Sequence, residues 1–258
     1  MKGLSSELLK YKRTFMGKLI VFIPVFFAIY SLVVSVQMKN PLAVEAGNTT
    51  ISATTILALV FNWWPFVFLP LGYALFATLV AIQEKKAGNY RALRSQDVSK
   101  VALWVNKVLC MAIYGLFSTV VLMGVTAAIC LFITNEPLPF VKILAGGITC
   151  WGVSLALIPI QLCAATFGGT LLSMGIGFVG MLVGVLVAAT SFWFICPWSW
   201  ATRLMSPIIG IHPNGTILAY GDPLLNVSVI PVGIVVSLLA FVFLTLISGI
   251  WFSRKEIQ

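Results

Sequence analysis

Six long stretches of this chain contain no Asp, Glu, Lys or Arg, and the charges gather in the short gaps between them. About 20 consecutive apolar residues is what an α-helix needs to cross the roughly 30 Å hydrocarbon core of a bilayer. The stretches are therefore read as helices over residues 19–36, 56–82, 108–133, 143–164, 171–194 and 229–252. The expected fold is an all-α polytopic membrane protein with six transmembrane helices. With only 9% charged residues and a mean hydropathy of +1.05, a soluble domain would lack the polar surface that about 25% charged residues normally supply. The stretches are also too long and too rich in Gly for the roughly 10-residue strands of a membrane barrel.

The net charge of +9 would point to nucleic acid in a soluble protein. Here it sorts by side of the membrane. With Met1 inside, all of the 16 Lys and Arg residues except Lys39, Lys142 and Arg203 fall on the inner side. The positive-inside rule then sets both termini in the cytoplasm of a multi-pass cell-membrane protein, requires an even number of crossings, and leaves no reason to expect a nucleic-acid partner. After Lys18 the chain is apolar through Val36 with no small-x-small cleavage pattern, so the first stretch is read as a retained span. In the second stretch, Asn62-Trp63-Trp64-Pro65 together with Pro70 predicts a kink, because proline removes a helical donor and crowds the preceding turn. Cys110, Cys130, Cys150, Cys163 and Cys196 form no C-x-x-C or Cys/His cluster and read as small buried hydrophobes.

Three segments lie outside the hydrocarbon. Residues 3–18 can place Leu4, Leu8, Tyr11 and Phe15 on one helical face with lysines beside it, as in an amphipathic helix on the inner leaflet; a basic flank that only orients the first span is the alternative. Residues 83–100 form the only substantial internal cytoplasmic segment, since the next inner gap, around Ala165–Thr170, has no charge. A cytoplasmic partner would dock there and on the termini, unless the loop is merely solvated. Residues 195–226 make the largest outer segment, too broken by proline to cross, with Ala201–Ile211 apolar enough for a short helix or re-entrant turn. Its Trp198 and Trp200 suit either an interfacial anchor or substrate contact. On the fifth span, Gly180 and Gly184 form a G-x-x-x-G pair with Gly177 one turn before, a face that admits another helix at close range within the subunit or from a partner.

Chemistry of its own is hard to find in the chain. It has no G-x-x-x-x-G-K-S/T phosphate loop, no G-x-S-x-G elbow and no H-E-x-x-H, and its sole histidine, His212, sits between Ile211 and Pro213. Glu84 and Asp97 lie among lysines and arginines rather than as a catalytic pair. The apolar spans offer only such polar groups as Asn62, Gln161, Thr166 and Ser173, which disfavours an ion-coupled carrier with a carboxylate at the midplane.

A basic start of the form E-x-x-K-x-K-R, six spans, one basic loop after the second and no ATPase motif resemble an exporter permease of the second ABC class. The resemblance narrows with Glu7-Leu8-Leu9-Lys10-Tyr11-Lys12-Arg13-Thr14-Phe15, Glu84-Lys85-Lys86-Ala87-Gly88-Asn89-Tyr90, Pro197-Trp198-Ser199-Trp200, Arg203-Leu204-Met205, His212-Pro213-Asn214-Gly215 and Trp251-Phe252-Ser253-Arg254-Lys255-Glu256. Together these look like the permease subunits of lantibiotic self-immunity transporters of Gram-positive bacteria. The resemblance implies one permease domain over residues 1–258, a second homologous permease, and separately encoded ATPase subunits that carry the ATP and Mg2+. It implies a coupling surface at the amphipathic start and the first cytoplasmic loop, with Glu7, Lys10, Lys12, Arg13, Glu84, Arg91, Arg94 and Asp97 as its candidates. It also implies that the outer segment meets the lantibiotic peptide, through Trp198, Trp200, Arg203, Leu204, Met205, Ile208, His212 and Asp222. Export of another antimicrobial peptide or hydrophobic compound, or a non-transport scaffold or assembly role, are the alternative readings.

Overall fold

The structure is a computed structural model that describes residues 2–12, 14–37, 51–88 and 99–254. Its helices are α1 (Lys2–Lys12), α2 (Phe15–Gln37), α3 (Ala53–Trp63), α4 (Leu69–Lys86), α5 (Lys100–Ile133), α6 (Phe140–Ser154), α7 (Leu157–Ala188), α8 (Pro197–Ile209) and α9 (Val229–Arg254). Between α3 and α4, Trp64–Phe68 forms a π-helical turn in which the Leu69 N–H reaches the Trp64 carbonyl. Pro65 and Pro70 supply no N–H at either end of that stretch, so the α-helical ladder gives way there to a wider turn rather than a plain proline kink.

Five helical segments among the described residues are long and apolar enough to cross a membrane: Phe15–Gln37, Ala53–Lys86, Lys100–Ile133, Leu157–Ala188 and Val229–Arg254. The fold is an all-α polytopic membrane protein. The stretch expected as a fourth span, 143–164, is divided between α6, which has 15 residues, and the start of α7. α7 is itself interrupted at Gly169, whose φ of 76° and ψ of −170° leave helical space. Its two parts then lie side by side. Ser173 Oγ donates to the Gln161 carbonyl at 3.3 Å, and the Gln161 side-chain amide donates to the Ser173 carbonyl at 2.9 Å while accepting the Gly177 N–H at 3.2 Å. A positive φ is open to glycine without a Cβ penalty, which is why the reversal falls on this residue.

Packing follows from these breaks. α4 makes its most extensive contact with α7, and α8 is wedged against α6 and α7. α5 is fixed to its neighbours by two indole donors, Trp104 Nε1 to Ser248 Oγ of α9 at 2.8 Å and Trp151 Nε1 of α6 to the Ala112 carbonyl at 2.9 Å. Buried away from competing solvent, such polar contacts give specific register to helices whose outer faces are otherwise apolar. All five cysteines are free thiols, and Cys110, Cys130 and Cys150 are buried.

α5 has 34 residues. At 1.5 Å per residue it is about 51 Å long, some 20 Å more than the hydrocarbon core of about 30 Å. The excess allows the first turns of α5 to stand beyond the bilayer beside α1, and those turns carry Lys107.

Candidate functional site

Glu7 and Lys10 lie one turn apart on α1, Glu84 is in the last turn of α4, and Lys107 is in the second turn of α5. The fold draws these four together. Lys107 Nζ is 3.0 Å from Glu7 Oε2 and also pairs with Glu84 Oε1, while Lys10 Nζ is 2.8 Å from Glu7 Oε1 and 3.2 Å from Glu84 Oε1. Tyr11 Oη donates to Glu7 Oε2 at 3.0 Å, and Tyr114 Oη donates to the Leu8 carbonyl at 2.8 Å. Lys107 is 1% exposed, Glu7 2% and Glu84 3%, so these charges are shut away from water.

Two acids and two bases leave the cluster with no net charge. Burial pushes the Glu7 carboxyl up, but the Lys107 and Lys10 ammoniums outweigh it and hold the group below its ordinary value. Burial pushes Lys10 down, and its bonds to Glu7 and Glu84 overcome that and hold it above its ordinary value. Tyr11 moves up for two reasons, burial and the neighbouring carboxylates, and stays a neutral donor. Desolvating Glu7, Glu84 and Lys107 is costly, and their pairing offsets that cost only while all three are present.

The face of α1 expected to lie on the inner leaflet is largely taken by protein. Tyr11 is fully buried and Leu4 and Leu8 pack against the core, whereas Leu9 and Phe15 are 67% and 65% exposed. Lys12 is exposed and joins no part of the cluster. Of the other coupling candidates, Arg13, Arg91, Arg94 and Asp97 lie outside the described residues. Lys107 was not among the candidates; a lysine seven residues inside a long and mainly apolar helix is the signal that could have found it.

At the opposite end, the segment expected on the outer side is a 3-10 turn (Trp193–Ile195), α8, a tight reversal from Gly210 to Leu218 and a second 3-10 turn (Pro223–Leu225). Trp200, Arg203, Leu204 and Met205 are buried inside the subunit, and Trp198, Ile208, His212 and Asp222 are half-buried. Arg203 donates from Nη1 to the Leu224 carbonyl at 2.9 Å and lies 5.9 Å from the Trp193 ring centre, so it ties α8 to the second 3-10 turn. Asp222 caps that same turn through the Leu224 N–H.

The glycine face of α7 is used within the chain. A Cβ on Gly177 would stand 2.8 Å from Ala74 Cβ, and one on Gly184 would stand 2.7 Å from the Trp198 carbonyl oxygen; one on Gly180 would strike the Trp198 indole. Absence of side chains here lets the start of α8 lie directly on α7. The same Trp198, with Cys196, closes one end of an apolar groove of about 640 Å³ along the exposed Leu171, Val179 and Val183 face of α7. The groove lies on the exposed apolar face of a helix long enough to cross a bilayer.

Neither the curated proteins nor the solved structures give a match to this chain. The sequence profile of the ABC-2 family transporter protein matches residues 3–184, from α1 to near the end of α7 and through all four residues of the charge cluster. The chain is a membrane-embedded ABC-type permease domain and belongs to the ABC-2 family of transporter proteins.

Proposed function

We propose that this chain is the membrane-spanning subunit of an ATP-driven exporter that removes lantibiotic peptides from the membrane of the producing Gram-positive cell. ATP and Mg2+ are held by separate ATPase subunits, and a second homologous permease completes the complex. Both termini lie in the cytoplasm, with six crossings if α6 and the first part of α7 form one interrupted span and Gly169 turns the chain into the next.

The observation that supports coupling at this end is the buried neutral cluster. A push on α1 or on the segment between α4 and α5 reaches two long helices at once, because Glu7 and Lys107 join α1 to α5 and Lys10 and Glu84 join it to α4. Rigid helices carry that displacement across the bilayer. The lateral apolar groove suits a cargo already dissolved in lipid, since an amphiphilic peptide there needs a sideways path more than an aqueous pocket. That groove has no charge to single out a cationic peptide, which favours export of another hydrophobic compound as the second reading.

A lantibiotic-sensitive host separates the two. Cells carrying the complete transporter are expected to resist the cognate lantibiotic and to hold less cell-associated peptide than cells lacking only this chain. Unrelated membrane-active peptides are expected to be equally toxic to both. Correctly assembled complexes that give no protection across lantibiotics would leave the broader exporter reading in place of this one.

A further inference from the structure

Asn62 is the last α-helical position but one before the π-helical turn of Trp64–Phe68, and it is 5% exposed. Its side-chain amide donates to two carbonyls 150 residues away, Pro213 at 3.1 Å and His212 at 3.4 Å. The outer turn is shaped to receive it. His212 N–H donates to the Thr216 carbonyl, the Gly215 N–H returns to the His212 carbonyl, and Gly215 has a φ of 96° with a would-be Cβ 3.1 Å from Asn62 Oδ1. Any larger residue at 215 is opposed twice, by backbone conformation and by the amide it would meet.

We infer that Asn62 is a positioning residue that fastens the outer turn His212–Gly215 to the helix carrying the charge cluster, so that the outer segment follows that helix when it moves. From Asn62 to Glu84 the chain is continuously helical, about 33 Å at 1.5 Å per residue. One end is held by the buried amide and the other by Lys107 and Lys10. The outer segment reaches Arg203 and Trp198, hence the wall of the lateral groove, through α8. This deepens the exporter reading and rests on it for motion during the ATP cycle, but the fastening itself does not depend on transport.

The test uses the full chain with its native cysteines replaced and Pro213, which is buried, changed to cysteine as a reporter. In membranes without ATPase subunits, an impermeant maleimide is expected to label this cysteine about tenfold faster after Asn62→Leu, the population shift that follows loss of the amide's buried hydrogen bonding to Pro213 and His212. Gly215→Ala is expected to give a similar rise from the other side. The double variant is expected to be no faster than either single one, because both break the same contact. In the assembled complex, ATP is expected to alter labelling of the reporter, and Asn62→Leu to abolish that response while basal ATP hydrolysis stays unchanged. Unchanged labelling in Asn62→Leu, or additive effects of the two substitutions, would overturn the fastening. A nucleotide response that persists in Asn62→Leu would overturn its role in carrying motion. Fastening without any nucleotide response in the parent complex would likewise overturn the carried motion, and would count separately against the exporter reading.

Discussion

Lys107→Met is expected to destabilise the protein by about 3–5 kcal/mol, the penalty for leaving buried carboxylates without their buried partner. Lys107 is 1% exposed and contacts both Glu7 and Glu84, so methionine would fill its volume and abandon its charge. The effect should be local as well as global. Amide hydrogen exchange over residues 2–12 is expected to lose its protection, because α1 is held to α5 through this pair and the Tyr114 bond to the Leu8 carbonyl. Lys10→Met is expected to cost much less, since the Lys10 side chain is 34% exposed and solvent screens its pairs. Removing the charges together, in Glu7→Gln, Glu84→Gln and Lys107→Met combined, is expected to be milder than Lys107→Met alone. Equal stability and unchanged α1 protection in Lys107→Met would show that the cluster does not hold α1.

Gly184→Leu is expected to cost about 3 kcal/mol or more, the upper range for forcing atoms into a packed interior. A Cβ there would come within 2.7 Å of the Trp198 carbonyl oxygen, and backbone cannot turn aside as a flexible side chain can. Gly175→Ala supplies the contrast on the same helix. A Cβ at 175 meets nothing within 4 Å, so this change is expected to be neutral or slightly stabilising through helix propensity. Thermal unfolding in one detergent should separate the variants clearly. Matching losses would mean that the glycines matter for α7 itself rather than for its contact with α8.

The five long apolar helices were legible in the sequence because lipid imposes one requirement along about 20 residues at a time, and a charge-free stretch signals it. The interruptions were less so. Asn62-Trp63-Trp64-Pro65 and Pro70 announced a disturbance, but proline chemistry alone does not distinguish a kink from the π-helical turn found at Trp64–Phe68. The stretch 143–164 looked uniform because hydropathy is blind to a turn at Leu155 and Ala156 whose side chains are themselves apolar.

At the site, Glu7, Lys10 and Glu84 were reached through the family resemblance, which implies a coupling surface at the basic start and the first cytoplasmic loop. Their meeting with Lys107 was invisible, since sequence gives each residue a place along its own helix but not the partner brought beside it by the packing of α1, α4 and α5. The outer segment shows the reverse difficulty. Trp200, Leu204 and Met205 share the composition of a peptide-binding surface, and burial against α6 and α7 shows that the same side chains serve as core. His212-Pro213-Asn214-Gly215 entered only as a motif of the family resemblance, and its bond to Asn62 needed the fold.

The most direct measurement of whether this chain passes ATP-driven movement to a membrane-held peptide is ATP hydrolysis by purified protein, followed together with peptide content of the vesicles that hold it. The isolated chain is expected to hydrolyse no ATP. With the proposed ATPase subunits and companion permease it is expected to show hydrolysis that rises with lantibiotic peptide, and the vesicles are expected to lose peptide only when ATP is present. Robust hydrolysis by the isolated chain, or peptide retention by the complete complex at the same level with and without ATP, would contradict that account.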